Sequence, residues 1–191
     1  WDWKEISSNP ALTLGMLREF PDKWWDWWEM SSNPSLTMGM LRVFPRKWGK
    51  WWDWKEMSRN PALTLGMLLE FPDKWWDWIS ISGNPALTLA MLRIFPGKDW
   101  CWGRISSNPS LTDEILREFP GKDWNWKNMF HDNSTLTLEM LLMHSDEGLY
   151  WEKISSNFAL TLGMLRAFPD KDWCWLSISK NPSLTLAMLR A

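Results

Sequence analysis

Few residues in this chain are of the types that covalent or acid–base chemistry needs. The histidines are His131 and His144, and the cysteines are Cys101 and Cys174. His144-Ser145-Asp146 holds the base, nucleophile and acid types of a hydrolytic triad. A triad, however, works by convergence of side chains from separate positions, and three consecutive residues do not converge. The histidines and cysteines are too widely separated for the ligand spacing of a zinc site. Carboxylate pairs such as Asp26 and Glu29 recur along the chain, as a solvated face would. The reading is of no catalytic residue, no metal site and no cofactor-binding site, and the chain is not expected to be an enzyme.

Two other sets have the chemistry of binding. An arginine recurs as Arg18, Arg42, Arg93, Arg117, Arg166 and Arg190. Stacked in register, these would form an exposed ladder suited to an anionic partner such as an acidic peptide or a nucleic-acid backbone. Neighbouring Glu19, Glu118 or Asp22 can instead neutralise it. The second set is Trp24, Trp28, Trp48, Trp51 and Trp75, clustered in the first half of the chain. Exposed indoles there would form a contact patch. Both sets are the candidate interaction surface.

These residues are positioned by a repeat. Asn-Pro falls at Asn9, Asn33, Asn60, Asn84, Asn108 and Asn181, and the asparagine persists without proline at Asn133-Ser134 and Asn157-Phe158. Successive asparagines lie 24, 27, 24, 24, 25, 24 and 24 residues apart. The unit reads W-x-W-x-x-[IM]-S-x-N-P-[AS]-L-T-x-x-M-L-R-x-F-P-[DG]-K, in eight copies, and fifteen of the sixteen W-x-W positions hold tryptophan, Leu149 being the exception. A fixed short period is the signature of a solenoid or array. Twenty tryptophans in 191 residues exceed what one ligand site needs, so most must be structural. Copies six and seven depart furthest, with His144-Ser145 in place of Phe-Pro.

Two short helices fit each unit. Thr13 can cap one running from Leu14 to about Phe20, with Leu12 and Leu17 spaced as a hydrophobic staple and Pro21 ending it. Leu12, Met16, Leu17 and Phe20 share a wide apolar arc, while Gly15, Arg18 and Glu19 lie opposite. The Gly15 position is Gly or Ala in six copies (Gly15, Gly39, Gly66, Ala90, Gly163, Ala187), which permits close approach of helices. A second helix is expected from Asp22 or Lys23, capped by Asp22, to near Ser31. Helices this short are marginal alone, so stability must come from stacking, with one tryptophan row sealing the unit and the other packing on the next. The fold expected is all-α, an α-solenoid of eight two-helix repeats of about 24 residues. The alternative, a leucine-rich-repeat-like solenoid, needs a buried apolar residue five positions before the asparagine, where this chain has Lys4, Lys55 and Glu152.

The strings Phe20-Pro21-Asp22-Lys23-Trp24-Trp25-Asp26-Trp27 and Met30-Ser31-Ser32-Asn33-Pro34-Ser35-Leu36-Thr37 resemble a known repeat. They are similar to the tryptophan-rich W-D-W…S-x-N-P-x-L-T…P-D-K repeats in proteins of giant DNA viruses of amoebae. The resemblance spans the chain and implies repeat architecture and a viral origin. It carries no activity onto particular residues.

A net charge of −2 argues against a general nucleic-acid binder. No segment nears the ~20 apolar residues of a membrane span, and no signal peptide is visible. Cys101 and Cys174 occupy one position three repeats apart, beyond disulfide reach, so free thiols are expected, in a reducing intracellular compartment or a virion. The first and eighth copies look like interior ones, which points to a piece of a longer array or to ends that meet other chains. The expected function is a structural scaffold for protein interaction or assembly, such as a viral fibre or particle component built head to tail. The alternative is a binding module for a peptide or polyanion through the arginine ladder and tryptophan patch.

Overall fold

The computed structural model describes residues 1–44, 52–127, 129, 136–144 and 149–190. Trp48, Trp51, His131 and the Ser145-Asp146 pair lie outside the described residues. The fold is an all-α solenoid of two-helix repeats, with fifteen helices and no strand among the described residues. The absence of strands there removes the leucine-rich-repeat alternative. The chain divides into two units, Trp1–Trp100 and Cys101–Ala191.

Unit 1 holds α1 (Trp3–Ser8), α2 (Leu14–Glu19), α3 (Trp27–Ser32), α4 (Met38–Val43), α5 (Trp54–Arg59), α6 (Leu65–Glu70), α7 (Trp78–Ser82) and α8 (Leu89–Ile94). Unit 2 holds α9 (Trp102–Ser106), α10 (Asp113–Glu118), α11 (Leu138–Met143), α12 (Trp151–Ser155), α13 (Leu162–Ala167), α14 (Trp175–Lys180) and α15 (Leu186–Leu189). Within each unit, helices of the same kind pack against one another from repeat to repeat: α1, α3, α5 and α7 in unit 1, and α12 with α14 in unit 2.

The threonine-capped helices form as their sequence requires. Thr13 is extended at φ −124°, ψ 156°, and its hydroxyl accepts from the Met16 N–H. The same cap recurs at every described copy through Thr185. Leu12 and Leu17 are both buried, as a staple requires. Phe20 leaves the helix at φ −121°, ψ 55°, just before Pro21.

The tryptophan-led helices start later than the sequence suggests. Asp22 does not cap them; Asp26 does, its carboxylate accepting from the Trp28 and Glu29 N–H groups. After Pro21 the chain turns, with the Trp25 N–H donating to the Lys23 carbonyl at 2.9 Å, and residues 24–26 run without helical structure. That stretch is what seats Trp25, which is buried. A helix begun at Asp22 would have turned Trp25 and Trp27 about 200° apart on one cylinder, and the two could not face one aromatic cluster.

Small residues let the threonine-capped helices approach. A Cβ on Gly39 would sit 3.0 Å from Leu14 Cδ2, on the helix of the preceding repeat. At Gly163 the equivalent distance to Leu138 Cδ2 is 3.7 Å. The close approach expected at the Gly15 position is therefore seen at Gly39, whereas at Gly163 a Cβ would make ordinary contact.

Candidate interaction surface

Within each unit, described repeats join their neighbours through an aromatic cluster and two polar ladders. In the W-x-W pair, the second tryptophan leads the helix and meets the phenylalanine of its own repeat and the first tryptophan of the next. Trp54 stands 5.6 Å from Phe71 and 5.0 Å, edge-on at 77°, from Trp76. The Lys74 ammonium lies 5.7 Å above the Trp54 ring, a cation–π contact. In unit 2 the cluster recurs as Trp151, Phe168, Trp173 and Lys171. The first tryptophan also ties back by hydrogen bond: Trp76 Nε1 donates to the Phe71 carbonyl at 2.9 Å, and Trp173 Nε1 to that of Phe168 at 2.9 Å. One tryptophan row therefore does reach across to the neighbouring repeat, but both rows share a single cluster.

The polar ladders were not legible as such. Ser58, fully buried, donates its hydroxyl to the Trp54 carbonyl at 2.7 Å and accepts from the Asp77 N–H of the next repeat at 2.9 Å. Asn84 Nδ2 donates to the carbonyls of Ser58 and Asn60 in the preceding repeat, both at 2.9 Å. Its Oδ1 accepts from the Ala86 N–H at 2.9 Å, closing the turn. Asn33 and Asn60 do the same in unit 1, and Asn181 in unit 2. The asparagine is thus a buried connector as well as a turn former. The signal for it was its persistence at Asn133 and Asn157, where proline is lost.

The arginines and extra tryptophans lie outside this interface. Arg18, Arg42, Arg93, Arg117, Arg166 and Arg190 are all exposed. Arg42 makes a two-pronged pair with Glu70 of the next repeat, at 2.7 and 2.6 Å. The hydrogen bond from Arg42 holds the Glu70 carboxyl below its usual range, burial opposing and charge attraction adding to it. Arg117 pairs with Glu139. Neutralisation at these two positions comes from a neighbouring repeat, through Glu70 and Glu139. Of the extra tryptophans, Trp24, Trp28 and Trp75 are exposed. Trp75 walls a cleft of about 320 Å³ with Trp52, Trp54 and Lys55.

No protein-family model, curated protein or solved structure matches this chain. The chemistry of the surface has to be read from its own residues. His144 stacks on Trp126 with ring centroids 4.3 Å apart, taking the place phenylalanine holds in other repeats. Cys101 and Cys174 are free thiols at the helix-capping position. The Ser177 hydroxyl, 3.1 Å from the Cys174 sulfur, lowers the pKa of that thiol. Among the described residues no three His, Cys, Asp or Glu side chains come together as a metal-ion group. No described helix is long and apolar enough to cross a membrane.

An apolar groove of about 460 Å³ lies on the first repeat, between Trp1, Ile6, Leu12, Met16, Phe20 and Trp25. The positions of Trp1, Ile6 and Met16 are buried in repeats two to four, as Trp25, Met30 and Met40 show in the second.

Proposed function

We propose that this chain is a structural scaffold, a repeat protein for protein interaction or assembly that works without catalysing a reaction. The observation that supports this is the destination of the motif residues. Around Trp54, the phenylalanine and lysine of its own repeat and the first tryptophan of the next close one cluster, and the serine and asparagine bond across the same junction. Such an interface makes length and regularity, and leaves exposed indoles, Trp24, Trp28 and Trp75, as contact points for protein surfaces. A role as a viral fibre or particle component follows from the motif resemblance and belongs to the same reading.

The polyanion reading draws on the exposed arginines, but Arg42 and Arg117 already face carboxylates, which weakens the field they present. A binding titration separates the two. With immobilised chain, heparin and single-stranded DNA are expected to bind weakly, whereas a protein partner seated on exposed indoles is expected to survive high salt. Tight heparin or DNA binding that falls steeply with salt concentration would replace the scaffold reading by the polyanion one.

A further inference from the structure

The stack does not need Trp75. Its indole is 90% exposed, although Trp76 beside it is buried. Further along the chain the residue before the buried tryptophan is Asp99, Asp123 or Asp172. The aromatic contact closes there all the same, around Trp100, Trp124 and Trp173. What the Trp75 ring does instead is wall a cleft of about 320 Å³, lined also by Trp52, Trp54, Asp53 and Lys55. All five residues belong to unit 1.

The charges around this cleft do not cancel. Asp53 caps α5 with one carboxylate oxygen. Its Oδ1 accepts from the Lys55 and Glu56 N–H groups, both at 3.0 Å, and its Oδ2 has no hydrogen-bond partner among the described residues. At Asp77, one repeat on, both oxygens are used, accepting from the Ser80 N–H and hydroxyl. Against the pull of burial, those bonds and the Lys55 ammonium hold the Asp77 carboxyl below its usual range, so Lys55 faces a full negative charge. Glu56 is matched by Arg59 at 2.8 Å. Asp53 is left as the unmatched charge, beside three indoles.

Indole faces attract a cation through the ring quadrupole. A bare ammonium is strongly hydrated, and a lining made mostly of indole replaces few of the hydrogen bonds it would give up. A quaternary ammonium has no N–H to satisfy and spreads its charge over methyl groups that pack on aromatic walls. A choline headgroup carries a phosphate close to that group, which would meet the Asp53 carboxylate. A methylated lysine carries a neutral aliphatic stem. We propose that the cleft beside Trp75 binds the trimethylated side chain of a lysine in a partner protein, with Trp75, Trp54 and Trp52 as its walls and Asp53 as its counter-charge. The proposal rests on the scaffold reading and gives the partner a chemical mark.

Isothermal titration calorimetry of the whole chain with a short peptide carrying one trimethyllysine tests this. Two comparison peptides differ in that side chain alone: one has unmodified lysine, the other the neutral tert-butyl isostere. The trimethyllysine peptide is expected to bind about 2–30-fold more tightly than the isostere, the span of a cation–π contact from exposed to desolvated sites. It is also expected to bind more tightly than unmodified lysine. Trp75→Ala is expected to abolish both preferences and to leave the urea-unfolding midpoint unchanged, because the ring lies outside the stack. Trp75→Leu, which keeps apolar bulk without a ring, is expected to do the same. Asp53→Asn keeps a competent helix cap, removes the charge and should shrink the preference over the isostere. No binding at about 1 mM peptide overturns the proposal. So does equal affinity for the isostere, or a preference that survives Trp75→Ala. Phosphatidylcholine vesicles are expected to leave the chain in the supernatant; co-sedimentation that Trp75→Ala abolishes would assign the cleft to a lipid headgroup and overturn the lysine assignment. These failures leave the scaffold reading standing, whereas that reading itself falls on salt-sensitive polyanion binding.

Discussion

The contact between the third and fourth repeats and the contact between the sixth and seventh are built on one plan with different residues. At the former, Trp54 is enclosed by Phe71, Trp76 and the Lys74 ammonium. At the latter, the corresponding positions hold Trp126, His144 and Leu149, and Glu147 replaces the lysine in sequence. A cation–π contact reappears in a new place, with the Lys127 ammonium 5.4 Å over the Tyr150 ring. Leu149 is still buried. Beneath the cluster nothing has changed: Met140, Leu141, Ile154 and Leu160 are as buried as Met67, Leu68, Ile81 and Leu87. The aromatic cluster accepts changes of side-chain class, whereas the aliphatic interior changes only between aliphatic side chains of similar size, as Met57 and Ile81 do. The physical reason is that a partly exposed ring loses little when its neighbour becomes another flat or bulky group, but a fully enclosed methyl group has no room to adjust.

Deleting the first tryptophan at the complete contact sharpens this comparison most. Trp76→Ala removes a buried indole and its hydrogen bond to Phe71, and is expected to cost about 3–5 kcal/mol in urea unfolding, against about 2–3 kcal/mol for Leu149→Ala. Equal losses would mean that the indole contributes nothing beyond what leucine supplies. Next comes Asn84→Ala, which takes the side-chain amide donor from the Ser58 and Asn60 carbonyls, the latter keeping the Leu63 N–H. About 2–4 kcal/mol is expected, with amide exchange accelerating first around residues 58–60. Exchange that quickened only at the distant repeats would show the ladder to be dispensable.

Ser58→Ala strands the Asp77 N–H, an expected loss of about 1–2 kcal/mol. Lys74→Met keeps the aliphatic stem and removes the charge above Trp54, an expected loss of about 0.5–1 kcal/mol that high salt should shrink. The smallest effect concerns pH. Because the folded-state pKa of Glu70 is depressed by Arg42, its pairing contributes stability above the ordinary glutamate range and loses it as pH falls through the folded value. Acid titration of the melting temperature should therefore show a small decline below that range, and Glu70→Gln should remove it. A decline of the same size in the variant would assign it to other carboxylates.

Much of this was legible before any coordinates. The period, the threonine caps, the proline stops and the small residue at the Gly15 position follow from local sequence, because each acts within one turn of backbone. The start of the tryptophan-led helix did not follow. Asp22 and Asp26 are both competent caps by residue type, and only the need to place Trp25 against Trp3 favours the later one. The arginine ladder was visible as a row, but its partners Glu70 and Glu139 come from adjacent repeats at positions where the motif is variable. No rule of spacing within one repeat could have supplied them.

The sequence by itself determined that this chain repeats, that each unit makes two short helices, and that stacking must hold them, because helices of six residues cannot persist alone. Only the tertiary structure decided that asparagine and serine bridge the repeats and that both tryptophan rows meet in one cluster. Those facts depend on which backbone groups of one repeat lie within hydrogen-bonding distance of the next, a matter of distance in space that adjacency along the chain does not fix.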